Sequence, residues 1–331
     1  MANRYGEEFR PEYQAATDPT VAVDDILELE DMVAENRAIS ITFANRGTAV
    51  AAPAVEGVTE LKVFLRGERL ILSDFMPILE NTGLRVIGVA PFDVAGGEQG
   101  HATIHAFAVQ DGAGRPLNIE SRGALLAETV LAVRRGDAVN DSLNKLVLGA
   151  GLHWREVDVL RGFTGYAFQT GAVPSRMALP VALVKYPGIA RELFELFHTR
   201  FDPSMGATAE ERGAVADDIR SAFLASLKGV SALADDRALR RLEALISGTL
   251  RTNFYRRGGR TPTARSGGVP YMSFKFSSAD IEFLRQTRLR YEVWVHSSRM
   301  EGVHLRGARW PAAASGGATG PTTSAPRSSG W

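Results

Sequence analysis

The sequence predicts an α+β fold, and three observations carry that reading. Alternating apolar runs at Leu61–Leu65, Leu84–Val89 and His101–Val109 crowd into one stretch, with a helical spacing between the first two. Residues 137–250 then read as a succession of helices. Two further strand-like runs, Tyr271–Phe276 and Tyr291–His296, follow a basic loop rich in Gly, Ser and Thr at Gly258–Gly268. A chain of 331 residues leaves room for two or three domains.

Residues 1–58 open on a polar segment, then one amphipathic helix. Val21, Ile26, Leu29 and Val33 fall at helical spacing, and Asp24, Asp25, Glu28 and Asp31 are expected to face outward. Ile39–Phe43 alternates as a short strand, and Gly47–Gly57 reads as a linker. Residues 59–127 form the clearest unit. Ser73 is placed to cap a helix whose first turn holds Asp74, favoured there by the helix dipole. Phe75, Ile78 and Leu79 give that helix one apolar stripe, and Gly83 can end it in the left-handed conformation. A turn at Asp111-Gly112 and a second helix at about 120–134 complete a strand–helix–strand–strand–helix order. That is the split βαβ order of ferredoxin-like folds, read here as an ACT-like βαββ module.

Residues 128–268 form a helical connecting region. Leu143, Leu146 and Val147 make one stripe; Val157, Leu160, Ala167 and Phe168 make another. Pro187 suits a first helical position, with Leu193, Phe194, Phe197 and Phe201 behind it. Thr208 and Glu211 form a capping box ahead of Ile219, Phe223 and Leu227. Leu239, Leu242, Ile246 and Leu250 are the last stripe, and Asp235–Arg241 reads as helix capping with i, i+4 ion pairing.

Composition excludes several function classes. Lys+Arg and Asp+Glu both number 38, so no polyanionic partner is implied, and no nucleic-acid-binding motif is present. With no cysteine there is no disulfide, thiolate nucleophile or Cys-ligated metal. The N-terminus lacks an apolar core for a signal peptide, and no apolar run approaches the roughly 18 residues of a membrane span. A cytoplasmic chain without nucleic-acid or membrane partners is expected.

Candidate chemistry is sparse. His101 and His105 have the i, i+4 spacing of a helical metal pair, but Thr103, Ile104 and Phe107 put them on a strand, where they stand about 13 Å apart. His153, His198, His296 and His304 are isolated along the sequence and read as packed or surface residues. Gly149-Ala-Gly151 lacks the third glycine of a nucleotide loop and reads as a helix break. Arg251, Asn253, Arg256, Arg257 and Lys275 make a basic region. It could grip a carboxylate through a bidentate Arg, or be a solvated face paired with Asp235, Asp236 and Glu243.

Several strings carry a family resemblance: Leu79-Glu-Asn-Thr-Gly-Leu-Arg-Val86, Asn144–Glu156, Leu196–Pro203, Thr249–Tyr255 and Glu301–Gly307. In order and spacing, over about residues 1–308, they resemble the large bacterial NAD-dependent glutamate dehydrogenases. The resemblance implies oxidative deamination of L-glutamate to 2-oxoglutarate and ammonia, with NAD as hydride acceptor in the full-length enzyme and homo-oligomeric assembly. It places the catalytic domain's first strands at 269–308, and the catalytic lysines, proton-transfer aspartate and dinucleotide fold beyond them. No catalytic, cofactor or metal residue is therefore assigned within this chain, and no NAD is expected on it. Arg251, Asn253 and Arg306 are the substrate-binding candidates. A chain inactive by itself is expected, the alternatives being an amino-acid-binding regulatory module or a non-functional truncation product.

Residues 310–331 hold no Asp, Glu, Leu, Ile or Val, and such a stretch builds no core. One G inserted before the Trp310 codon, with suitable codons, shifts it to VARGGIRWSDRPDDFRTEVLGL. That string resembles the start of the same family's catalytic core, so residues 309–331 are read as an out-of-frame tail. Resequencing the coding DNA should reveal the open frame after a one-base insertion near Arg309. Deleting 310–331 should leave the melting temperature unchanged, whereas a drop of several degrees would mean that Trp310 or Trp331 packs.

Overall fold

The structure is a computed structural model that describes residues 9–45, 57–94, 101–206, 208–256, 271–287 and 290–306. The linker Gly47–Gly57 up to its last residue, the basic loop 258–268 and the tail 310–331 lie outside the described residues.

The N-terminal half is a three-layer unit. Its elements are α1 (Pro11–Ala16), α2 (Pro19–Ala34), β1 (Ile39–Ala44), β2 (Thr59–Arg66), α3 (Leu72–Asn81), β3 (Arg85–Val94), β4 (Ala102–Gln110) and α4 (Ile119–Arg135). The sheet is antiparallel throughout in the order β1-β2-β4-β3, so β4 lies between the two strands joined by α3. This is the expected split βαβ core. β1 occupies the outer position beside β2, with Ile39 opposite Leu65 and Phe43 opposite Leu61. The sheet therefore draws one strand from ahead of the 59–127 unit.

Both sheet faces are covered, for reasons written in the strand alternation. Leu61, Val63, Leu65, Phe107 and Val109 point to the side closed by Phe75, Ile78 and Leu79 of α3 and Leu126, Val130 and Val133 of α4. Phe64, Val94, Ala102 and Ile104 point the other way, onto Tyr13 of α1 and Leu29 and Met32 of α2. The charges of α2 do not all face outward as its spacing suggested. Asp25 is buried, because the helix turns Leu29 and Met32 inward and brings Asp25 over Lys62 on the sheet. Its Oδ2 accepts from Tyr13 Oη at 2.5 Å and Lys62 Nζ at 2.6 Å. Burial and the Asp25 charge raise the Tyr13 pKa, so its hydroxyl stays protonated.

Two local expectations, the Ser73 cap and the strand end at Val89, differ in the structure. Ser73 does not cap α3: the helix starts at Leu72 with Ile71 at the N-cap, and Ser73 sits inside the first turn. β2 and β4 offer no free edge, since β1 and the long β3 flank them. β3 runs on to Val94, past Pro91, which an outer strand tolerates because its missing N–H would face no neighbour. A bulge between Val86 and Gly88 adds a further irregularity to that edge.

A helical layer follows: α5 (Lys145–Ala150), α6 (Trp154–Gln169), α7 (Ala178–Lys185), α8 (Pro187–Phe201), α9 (Ala209–Ser226) and α10 (Leu233–Ser247). Gly149-Ala-Gly151 is indeed a helix break, with Gly151 at φ +68° ending α5. The Thr208–Glu211 capping box forms as the sequence indicates. Helix α6 is the axis of this layer, with every residue from Val157 to Ala167 buried. Phe168 leaves the core: it falls one residue past that run and lies exposed beneath the Arg176 guanidinium.

The last described residues form a second antiparallel sheet, β5 (Thr249–Thr252), β6 (Met272–Ser277), β7 (Tyr291–His296) and β8 (Glu301–Arg306), in sequential order. The sequence reading found β6 and β7 only. Leu250 belongs to β5 and is exposed, because α10 stops at Ser247 and the chain turns into the sheet. Phe274, Phe276 and Trp294 face α6, so one core runs from α3 and α4 to this sheet.

Replacing Lys62 by Met should lower stability by roughly 3–5 kcal/mol, since it strips a buried carboxylate of its cation. The urea midpoint measures this. A loss below about 1 kcal/mol would mean that water reaches this side of the sheet and solvates Asp25.

Candidate functional site

The residues singled out for substrate binding are not brought together. Arg251 on β5 is exposed and stands opposite Lys275 of β6. Arg306 ends β8, in register with Tyr291. The two positions lie on opposite edge strands and are offset by two residues along the sheet, about 16 Å apart at the usual strand spacings. Asn253 has a structural role: its amide donates to Tyr271 O at 3.1 Å and its carbonyl accepts from Ser273 N–H at 2.7 Å. It ties the chain just after β5 to the start of β6. Lys275 lies over the Tyr291 ring, 4.3 Å from its centroid.

The expected ion-pair partners of this basic region are engaged elsewhere. Asp235 pairs with Lys185 at 2.9 Å, Asp236 with Arg240 at 2.9 Å, and Glu243 with Arg220 at 2.9 Å. Asp236–Arg240 is the i, i+4 pair read from the sequence, whereas no side chain caps α10, whose N-cap is Ala232.

The histidines have definite tasks. His101 Nε2 lies 3.7 Å from Asp93, and half-buried His105 is held below its ordinary pKa by burial. Among the described residues no three His, Cys, Asp or Glu side chains gather as a metal site requires. His153 caps α6: its Nδ1 accepts from Arg155 N–H at 3.2 Å, while Glu156 accepts from His153 N–H at 2.9 Å. An accepting Nδ1 puts the proton on Nε2, which then donates to Glu128 at 2.8 Å. His198 Nδ1 lies 2.7 Å from the Tyr255 hydroxyl. Exposed His304 sits on β8.

His296 is packed, one of the two outcomes its isolation in the sequence allows, and its partners come from elsewhere in the fold. It is 2% exposed, with Nε2 at 3.2 Å from Asp158 and Nδ1 at 3.1 Å from Glu301. Asp158 also accepts from Arg161 Nη1 at 2.6 Å. Arg161 reaches on to Asp141, at 2.9 Å and 3.0 Å, and to Asn144 at 2.8 Å. Glu301 extends the network outward to Arg176 at 3.2 Å. Burial opposes a charged His296 ring, but hydrogen bonds to Asp158 and Glu301, and their charges, outweigh it and lift the pKa to about 9. Burial likewise opposes the Asp158 carboxylate, yet His296 and Arg161 hold it below its ordinary value. Beside this network Tyr166 Oη donates to Glu292 at 2.8 Å, and Ser278 donates to the same carboxylate at 3.0 Å.

Two glycines on one face of α6 permit this approach. A Cβ at Gly162 would meet the Phe274 ring at 3.0 Å and His296 Cγ at 3.3 Å, and one at Gly165 would overlap the Glu301 carboxylate. Tyr166 stacks on Phe276 with centroids 4.2 Å apart, sealing the polar network under an aromatic layer. The assembly joins α6 to the β7–β8 hairpin through six mutually compensating charges: Asp141, Asp158, Glu301, Arg161, Arg176 and His296.

A separate cavity of about 180 Å³ opens between α2, β1 and β2, lined by Asp24, Asp25, Glu28, Glu60 and Lys62 among others. Among the described residues, three acidic side chains of one helix and one of the sheet line this cavity with Lys62.

Three descriptions from one family match consecutive parts of this architecture. "Glutamate dehydrogenase, ACT3 domain" matches residues 48–122, "Glutamate dehydrogenase, helical motif 3" matches 138–203, and "Bacterial NAD-glutamate dehydrogenase, catalytic domain" matches 222–319. The chain belongs to the large bacterial NAD-dependent glutamate dehydrogenase family. It is similar to the NAD-specific glutamate dehydrogenase of Pseudomonas aeruginosa, 36% identical over 299 residues, which are 90% of this chain and 18% of that protein. The Halomonas elongata protein of that name is 37% identical over 251 residues (75% of this chain, 15% of that protein). The Mycobacterium tuberculosis protein is 31% identical over 321 residues (93% and 19%). The chain thus spans less than a fifth of each of these relatives. The catalytic-domain match begins at residue 222, within α9, ahead of the strands from which the sequence reading began that part at 269. Among the described residues no helix is long and apolar enough to cross a membrane.

Gly165→Val should destabilise the chain by about 1–3 kcal/mol through overpacking against Glu301. Gly213→Val, where a Cβ meets nothing within 4 Å, should be neutral or slightly stabilising in the same denaturant titration. Equal effects at both positions would mean that the α6–hairpin contact is not tightly packed.

Proposed function

We propose that this chain is a segment of an NAD-dependent glutamate dehydrogenase, the enzyme that converts L-glutamate, NAD and water to 2-oxoglutarate, ammonia and NADH. Its part is architectural: an ACT-like sheet, a helical connector, and the opening stretch of the catalytic domain from within α9 through the β5–β8 sheet. The observation that carries this reading is the order of the three family matches along one chain, ACT3 domain, helical motif 3, catalytic domain. The names of the curated relatives support NAD and glutamate as cofactor and substrate of the whole protein.

The chemistry itself is assigned outside these residues. Hydride transfer needs a site that holds the nicotinamide against the substrate and a group that moves a proton. The sequence offers no Gly-rich dinucleotide loop, and positions 251 and 306 sit on opposite edges of their sheet, too far apart to favour a shared grip on one carboxylate. The buried charges around His296 are engaged with one another, which suits a docking role better than substrate binding. Cytoplasmic location and homo-oligomeric assembly belong to the same proposal.

Purified chain mixed with glutamate and NAD should form no NADH above a no-enzyme control. Calorimetry should detect no NAD binding at millimolar affinity. Turnover or binding would place part of the active site within these residues and overturn the architectural assignment. A glutamate-dependent rise in melting temperature without turnover would instead support an amino-acid sensor, through the mass-action stabilisation of a bound native state.

A further inference from the structure

We propose that His296, held between Asp158 and Glu301, is a proton-operated clamp: its doubly protonated ring fastens the β5–β8 sheet to α6, and loss of one proton loosens that contact. The geometry supplies the argument. The ring presents one nitrogen to each carboxylate, Nε2 to Asp158 and Nδ1 to Glu301. An imidazolium donates from both nitrogens, whereas a neutral ring donates from one and turns a lone pair toward the other carboxylate. Asp158 lies on α6, whereas Glu301 is the cross-strand neighbour of His296 on β8, so the Asp158 bond crosses the joint and the Glu301 bond fixes the charged ring within the hairpin.

The surroundings make that loss consequential. From α6 the ring faces Asp158 and, behind it, Arg161, which is fixed to Asp141 and Asn144. From β8 it faces Glu301, whose other oxygen binds Arg176. Glu292, on the same face of β7, is occupied by Tyr166 and Ser278. With His296 charged, three carboxylates stand against two guanidiniums and one imidazolium. Deprotonation leaves one unmatched negative charge beside the buried Asp158 and Arg161, and Gly162 and Gly165 leave the hairpin little slack in which to rearrange.

The sign follows from the direction of each shift. His296 is lifted to about 9, so its contribution is complete below its unfolded value near 6.5 and disappears as pH rises through about 9. Asp158 and Glu301 are held low, so their contributions are present above their unfolded values, about 4, and disappear in acid. The clamp therefore holds across neutral pH and opens on the alkaline side.

The test uses the 331-residue chain. Proton–carbon NMR of the histidine Cε1–H groups should show one resonance titrating near pH 9, absent from His296→Gln. Trp294 is buried on β7 beside Tyr166 and reports on the joint. Its emission, isolated by comparison with Trp294→Phe, should shift to the red between about pH 7 and 10 with the same midpoint. His296→Gln should show no transition in that window. Should that variant fail to fold, Glu301→Gln removes one of the two negative charges on the ring and should move the His296 titration to lower pH. A His296 midpoint near 6.5, a Trp294 signal that ignores the His296 titration, or an unmoved midpoint in Glu301→Gln would each overturn the proposal.

Discussion

The contact on which the second half of this molecule depends is the one between α6 and the β5–β8 sheet. A helix usually meets a sheet across a full layer of side chains, about 10 Å between axes. Here Gly162 and Gly165 remove that layer over one turn, and the strands come close enough for His296 and Glu301 to lie against the helix backbone. Close approach excludes water, and water exclusion obliges every charge at the joint to be met by another. The Asp158–Arg161–His296–Glu301 network is the result of that approach rather than its driving force. The apolar contribution comes from Phe163, Tyr166, Phe274, Phe276 and Trp294, which pack together at the same joint.

The N-terminal half meets a similar demand differently. Its sheet is covered on both sides, so the polar residues that alternation puts on β2 have no solvent to face. Glu60 and Lys62 are therefore buried as a consequence of α1 and α2 closing the second face, and Asp25 and Tyr13 descend from those helices to meet them. The two halves share the habit of placing ionised groups between a helix and a strand. In each case partner residues lie far apart in sequence, 37 positions for Asp25–Lys62 and 138 for Asp158–His296.

That separation explains which parts of the structure were legible beforehand. Local rules served well where both partners are near neighbours: the Phe75–Ile78–Leu79 stripe, the Thr208–Glu211 capping box, and the left-handed glycines Gly83 and Gly151. They failed where tertiary contacts decide. Asp25 looks solvent-facing on a helical wheel because nothing local announces a lysine on the sheet beneath it. Ser73 looks like a cap because capping residues are read without knowing where the helix starts. His296 looks isolated because its partners come from α6 and from the next strand. The Gly162-x-x-Gly165 spacing was a readable sign of close helix packing, and Glu292 and Glu301 around a buried-looking Trp294 hinted at charge on that face. β5 escaped because four residues after a helix end give alternation too little length to register.

The position of β1 has a consequence for how the chain acquires its shape. In a βαββαβ unit the outermost strand arrives last, after the second helix, so the sheet stays open until the whole module exists. Here that place is filled by a strand that precedes the module, and β1–β2 pairing needs only residues up to Arg66. On a ribosome making about 5–20 residues per second, the nascent chain can pair this side of its sheet before α3 has emerged. The β1-facing edge of β2 is then covered while the remaining strands are being made, and only its β4-facing edge waits for Ala102–Gln110. The order of the genetic message, rather than any added residue, guards the growing sheet against unwanted association.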